Sequence, residues 1–234
     1  MSLSGTLSIN PQRKIVILGH TGSIGGALFK ELQLSGHQVL GFSRNSQPKL
    51  ALDDEASIQA VAQAAGTDID WLINATGVLS DRPGLPERSL KELSATAMVS
   101  QFLVNAVGPA LVIKHFLPNM RKHSAALMAC FSARVASISD NRLGGWYSYR
   151  ASKAALNQLI KTASIEISRS HPKMVCVGVH PGTVDSTLSR PFIQAAKNVQ
   201  TPAEAARKIM TVLESLTSEH TGTLVDYQGK VIAW

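Results

Sequence analysis

The sequence predicts an α/β chain folded as one doubly wound domain, on three observations. Short apolar runs alternate with stretches of helical periodicity, the pattern of repeated βαβ units and a parallel sheet. A glycine-rich turn, Gly19-His-Thr-Gly22-Ser-Ile-Gly25, stands between the first apolar run and the first helical pattern. No linker, low-complexity tract or internal repeat divides the 234 residues, of which 44% are hydrophobic and 17% charged. That composition suits a soluble globular protein with a sizeable core. Met1 to Gln12 is polar and lacks the basic start and apolar centre of a signal peptide,. It is expected to be a flexible leader (1–12) to a cytoplasmic domain spanning 13–234.

The elements follow in order. Lys14-Ile-Val-Ile-Leu18 is a strand running into the glycine turn. Ile24, Leu28 and Leu32 mark one helix face, closed by Gly36,. Gln38–Phe42 is a second strand, and Leu50–Leu52 a candidate third, followed by an acid-capped helix from Asp54 to about Ala65. Trp71–Asn74 is the fourth. A long helical region runs from about Ser94 to His123, with Pro109 expected to bend it,. Ala125–Phe131 is the fifth strand, Tyr147 to about Ser170 a helix, and Met174–Val179 the sixth strand. Ala203–Leu216 is a helix with Thr201 as cap and Pro202 at its first position, and Gly222–Asp226 is the last strand,.

Charge and composition narrow the function classes. The net charge is +7, but Lys and Arg are dispersed without a basic block or interleaved aromatics, so a nucleic-acid partner is not expected,. A basic chain equally suits an anionic small molecule. No apolar run approaches the roughly 18 residues of a membrane span. Cys130 and Cys176 stand alone inside apolar runs, and seven His are scattered without metal-ligand spacing, so neither a disulfide framework nor a metal site is expected,.

The glycine turn is placed to cradle a phosphate: glycines allow close backbone approach, and the helix N-terminus adds partial positive charge. Its spacing is GxxGxxG. Gly19, Thr21, Gly22, Ser23, Ile24 and Gly25 are therefore candidate cofactor contacts. An acid at the end of the second strand would hold the ribose 2′-hydroxyl of NAD. Here that position reads Ser43-Arg44-Asn45, and a guanidinium with a serine beside it suits a 2′-phosphate, so NADP(H) is favoured over NAD(H),. Further along, Tyr149 and Lys153 are four apart on a helix and share one face,. A fixed ammonium favours the phenolate and brings its pKa down, turning a tyrosine into an acid or base for carbonyl and alcohol chemistry.

With Gly19–Gly25, Asn74-Ala-Thr-Gly77, Asn105, Tyr149–Lys153 and Pro181-Gly182 in order, the chain resembles the short-chain dehydrogenase/reductase family from Lys14 to Trp234. Gly144-Gly-Trp-Tyr-Ser-Tyr149-Arg-Ala-Ser-Lys153 and His180-Pro-Gly-Thr-Val184, followed by Leu188-Ser-Arg-Pro-Phe192, look like its C-factor-like branch. The resemblance implies a Rossmann-type fold of about seven parallel strands with helices on both faces. It implies Tyr149 as acid/base, Lys153 holding the nicotinamide ribose, and Asn105 in a proton relay. Asn74, Ala75 and Gly77 would line the adenosine side, with Asp53 beside the adenine. His180, Pro181, Gly182, Thr183, Val184 and Ser186 or Thr187 would pass the nicotinamide. Leu143, Trp146, Leu188 and Phe192 should rim an apolar substrate pocket. A homodimer or homotetramer is implied as well.

One position departs from the family. The serine expected at the end of the fifth strand, which holds the substrate oxygen, falls on Ala133. Ser132 serves only if the strand end bends or shifts by one residue, because strand neighbours face opposite ways. Ser137 serves only if the loop to Trp146 folds back. The expected function is NADP-dependent hydride transfer to or from a small, apolar carbonyl or alcohol. The alternative is an NADP-binding regulatory protein with little turnover.

Overall fold

The computed structural model describes residues 12–80, 85–195 and 198–234; of the expected leader, all but Gln12 lies outside the described residues. The strands are β1 (Lys14–Leu18), β2 (Gln38–Phe42), β3 (Trp71–Asn74), β4 (Leu127–Phe131), β5 (Val175–His180), β6 (Thr183–Val184), β7 (Val199–Gln200), β8 (Leu224–Asp226) and β9 (Val231–Ile232). Seven form one sheet in the order β2-β1-β3-β4-β5-β8-β9, while β6 and β7 pair separately. All ladders of the main sheet are parallel except β8–β9. The sheet is thus mostly parallel, with an antiparallel edge.

Both faces are covered, so the strands are apolar throughout rather than alternating. Val16, Leu18, Leu72, Met128 and Cys176 face one core together with Ile58, Phe116 and Leu156. Ile15, Ile17, Ile73, Ala129 and Val177 face the other with Leu28, Leu32, Ile209 and Leu213. The helices supplying those residues are α1 (Ser23–Leu34), α2 (Glu55–Ala65), α4 (Gly108–Phe116), α5 (Tyr147–Ser170) and α6 (Pro202–Ser215), with α3 (Ala95–Phe102) preceding α4. Truncating a fully buried residue such as Ile17 to Ala would cost about 2–5 kcal/mol.

Several expectations are corrected here. Leu50–Leu52 is a buried loop and not a strand: Leu50 N–H donates to the Ser43 carbonyl, and the Ser57 hydroxyl accepts from Ala51 N–H and donates to the Lys49 carbonyl. Its backbone groups are satisfied locally, so no strand ladder is needed. The seventh strand of the sheet is β9, turned back by a hairpin in which Asp226 Oδ1 accepts from Gln228 and Lys230 N–H. The long helix is interrupted by a π-helical turn at Leu103–Val107, just ahead of Pro109. Pro109 has no N–H for the carbonyl of Asn105, four residues back, so regular winding fails there. By length and mean hydropathy (1.6) Ala95–Asn119 does reach the range of a membrane span, contrary to expectation. It carries buried polar Gln101 and Asn105, and Val112 and Phe116 lie in the core.

Because β1 has β2 on one side and β3 on the other, the chain leaves β1 in opposite directions, and a crevice opens at the carboxyl ends of these strands,. That crevice is the site.

Candidate active site

A cleft of about 590 Å³ runs along the carboxyl edge of the sheet, from the glycine turn to the start of α5 and the segment after β5. Its volume is in the range of small-molecule and cofactor sites.

At one end, Thr21, Gly22, Ser23, Ile24 and Gly25 line the cleft. A Cβ on Gly25 would lie 2.3 Å from the Gly19 carbonyl oxygen, so only glycine lets α1 start this close to the strand. Helix α1 has no side-chain cap and no acid in its first turn, whereas Asp54 caps α2 and Thr201 caps α6. Its first N–H groups are left to the cleft, an anion site by construction. Arg44 lines the same end and is exposed. These residues fit a dinucleotide phosphate.

Four candidate cofactor residues do not line the cleft. Gly19 lies beneath the loop, its N–H donated to the Phe42 carbonyl at 2.7 Å. Ser43 is buried, with its hydroxyl accepting from Asn45 N–H. Asn74 uses its side-chain oxygen on the N–H and hydroxyl of Thr76, closing a strand-end turn. Asp53 is exposed beside α2. Ala75 and Gly77 do line the cleft, with Thr76 between them, a residue its sequence position alone does not mark.

At the other end stand Tyr149 and Lys153, one turn apart on α5, both lining the cleft. Lys153 is 2% exposed and donates from Nζ to the Phe131 carbonyl at 2.7 Å. Burial draws its pKa down to about 8, opposed by the Cys130 thiol. Tyr149 keeps part of its surface toward the cleft, and burial pushes its phenol up to about 12. This corrects the expected lowering of the phenol: desolvation governs Tyr149, and the ammonium is spent on a carbonyl. Asn105, fully buried in the π-turn, accepts from Val78 N–H at 2.9 Å and donates to the Val78 carbonyl and the Ser152 hydroxyl. A Cβ on Gly77 would lie 3.2 Å from both Asn105 Oδ1 and Lys153 Nζ, so the two side chains converge beneath that glycine.

Both serine alternatives near the end of β4 are hydrogen-bonded within the protein. Ser132 and Ala133 both line the cleft, but the Ser132 hydroxyl donates to Asn157 Oδ1 on α5 at 2.6 Å. Ser137 is buried in a turn with Ser139 and Asp140 and does not line the cleft. Arg134, beside Ala133, lines the cleft and pairs with Asp226 at 3.1 Å and Asp140 at 3.5 Å. His180 also lines it, its pKa lowered to about 4 by burial and then by Arg134, so its ring is neutral at physiological pH.

Trp146, Leu188 and Phe192 form the apolar wall, with Trp146 and Phe192 ring centroids 4.7 Å apart. Pro181, Gly182, Thr183, Val184 and Ser186 complete the floor. Leu143 is 92% exposed and outside the cleft, because the Asn141–Gly144 turn points it to solvent. Leu79 and Arg134 line the cleft as well, and of the two only Arg134, next to the departing alanine, carries a signal in the sequence. Among the described residues no three His, Cys, Asp or Glu side chains converge as a metal site would require.

The short chain dehydrogenase family model matches residues 49–197. The C-signal protein of Myxococcus xanthus is 33% identical over 167 residues, covering 71% of this chain and 93% of that protein. The 1-hydroxy-2-glutathionyl-2-methyl-3-butene dehydrogenase of Rhodococcus sp. (strain AD45) is 27% identical over 192 residues, 80% of each chain. Among solved structures, the carbonyl reductase Sniffer of D. melanogaster superposes with a TM-score of 0.82 at 20% identity, over 95% of this chain and 100% of that one. The NADPH-bound carbonyl reductase from chicken fatty liver gives 0.81 at 24% identity, over 95% and 94%. Those two likenesses establish the fold.

Proposed function

The chain belongs to the short chain dehydrogenase family, an oxidoreductase fold, and on that premise we propose that it is an NADP-dependent reductase of small apolar carbonyl compounds. One observation carries the reading: Tyr149 and Lys153 open into the same cleft as the uncapped α1 terminus and Arg44. NADPH would be held by Thr21–Gly25 and Arg44 at its phosphates and by Ala75–Gly77, Lys153 and the Pro181–Ser186 segment along its length. When bound it supplies the hydride. Tyr149 supplies the proton to the carbonyl oxygen. Burial keeps the phenol in its protonated form, the one that can donate,. Lys153, anchored on the Phe131 carbonyl, would hold the nicotinamide ribose, and Asn105 fixes the Val78 backbone.

The wall of Trp146, Leu188 and Phe192 supports an apolar substrate. A relative such as the NADPH-dependent pterin aldehyde reductase of Arabidopsis thaliana, 26% identical over 244 residues, is named for the same cofactor and a carbonyl group. A homodimer or homotetramer belongs to this reading, supported by exposed Val99, Leu103, Val107 and Ile165 on α3, the π-turn and α5,. A cytoplasmic location belongs to it too: both thiols are buried and unpaired, which suits a reducing compartment,.

A regulatory NADP-binding protein is the second reading, favoured by Ala133 and by the commitment of Ser132 to Asn157. Titration with NADPH and NADH, then a screen of carbonyl compounds for nucleotide oxidation, separates the two. Preferential NADPH binding with turnover supports the reductase, and binding without turnover on any carbonyl moves the assignment to the regulator. Failure to bind either nucleotide removes both.

A further inference from the structure

Three consecutive residues ahead of α5 have left-handed backbone: Gly144 at φ 63°, Gly145 at 64° and Trp146 at 54°. The glycines adopt it freely, but a bulky L-residue does not, and such outliers persist only where their surroundings hold them. Trp146 is also the N-cap of α5 and has no side-chain cap to offer. Helices α2 and α6 solve the same problem with Asp54 and Thr201 at that position. In α5 the capping position is occupied by an indole.

The cap comes instead from Glu87, 61 residues before Ser148. The Glu87 main-chain carbonyl accepts from Trp146 N–H at 2.6 Å. Its carboxylate accepts from Ser148 N–H at 3.3 Å and from the Ser148 hydroxyl. Glu87 is only 8% exposed, and Ser148 is fully buried. On the opposite side Arg150 donates from Nε to the Gly145 carbonyl at 3.0 Å and from Nη1 to the Val135 carbonyl at 2.9 Å. Both sets of bonds act on the backbone around Trp146, and its indole lies edge-on to Tyr149, centroids 6.2 Å apart, and against Phe192.

We propose that Glu87 is a positioning residue of the active site, capping α5 from a distant segment so that position 146 can carry the aromatic wall of the substrate cleft. A buried carboxylate is costly unless hydrogen-bonded, and both bonds to this one come from Ser148, the residue just before Tyr149. The substrate-side consequence rests on the reductase reading above; the structural one does not. Loosening Trp146 would weaken the hold on bulky aromatic carbonyls and leave the phosphate end alone.

The test uses the full chain labelled with 5-fluorotryptophan, as wild type, Glu87→Ala and Glu87→Gln, with the Trp146 line assigned by its loss in Trp146→Phe. Fluorine NMR of Glu87→Ala is expected to shift or broaden the Trp146 line while the Trp71 and Trp234 lines and NADPH affinity hold. Glu87→Gln, which keeps one acceptor for Ser148, should lie between. In turnover, KM for an aromatic aldehyde should rise about two- to tenfold in Glu87→Ala, the worth of one aromatic contact, with kcat and the KM of a small aliphatic aldehyde little changed. A Trp146 line unmoved in both variants overturns the proposal, as does uniform movement of all three lines with loss of NADPH binding. If the wild type reduces no carbonyl, the reductase reading falls, and the fluorine spectrum still decides the role of Glu87.

Discussion

The two walls of the cleft are built from opposite materials. The α5 wall presents a phenol and an ammonium, backed by Asn105 with its amide bonded on both sides. The β4 wall presents Phe131, Ala133 and a serine whose hydroxyl is committed to Asn157. Under the proposed reduction the first wall would deliver the proton, and the second offers no free hydroxyl for the oxygen that receives it. Hydride-transfer sites ordinarily need both, since pre-placed donors aimed at developing charge are a large term in catalysis. In the proposed reaction, proton delivery and oxygen binding are separate parts of this cleft, and the side chains present serve the first more fully than the second.

Four measurements break or sharpen that contrast. The largest effect should come from the complete wall: Tyr149→Phe is expected to lower kcat by about 10²–10⁴ while nucleotide binding persists. Equal turnover in the variant would show that the phenol is not the donor. Next comes the deficient wall. Ala133→Ser is expected to raise kcat by roughly 10²-fold, the worth of one well-placed donor. Unchanged or lower activity would mean the missing hydroxyl does not limit the site.

A third change lies outside both walls and serves as their control. Arg44→Ala should weaken NADPH binding by about tenfold through loss of a charge-assisted contact, and leave NADH binding unchanged. Equal weakening of the two would remove Arg44 from the 2′-phosphate. The smallest effect is on stability. Lys153 has its pKa drawn from 10.5 to about 8 in the folded chain, so folding carries the full cost of its burial below pH 8. Between pH 8 and 10.5 the unfolded chain binds the proton that the folded one has released, and stability rises with pH. Lys153→Met removes that cost: it should be inactive yet more stable by about 1 kcal/mol at pH 7, an advantage that fades by pH 10.5. Denaturant titrations at pH 7 and 10 check this, and a variant less stable at both would show that the Phe131 contact outweighs desolvation.

Much of this was legible in the sequence where local physics and tertiary context agree. β1, β2, β3 and α5 run as their patterns predict, because each buries a continuous apolar run or a single face. Leu50–Leu52 did not, because its apolar residues are buried by a loop satisfied through Ser43 and Ser57. The short β6, β7 and β9 carry too few residues for any period to show. In the site, Thr21–Gly25 and the Pro181-Gly182 segment, whose place follows from backbone geometry, line the cleft, while Gly19 lies outside it. Those whose place depends on side-chain direction did not all follow: Leu143 points to solvent, and Asn74 and Ser43 serve their own turns. The role of Glu87 was invisible, since its partners lie about sixty residues away.

The central claim is tested most directly with NADPH carrying deuterium at the nicotinamide C4, each face labelled in turn, incubated with the purified chain and an aromatic aldehyde. Mass spectrometry of the product should find an alcohol with deuterium on its carbinol carbon from one of the two labelled faces and not the other. Binding of the labelled nucleotide without transfer to any carbonyl offered would contradict the account and leave the cleft a nucleotide sensor.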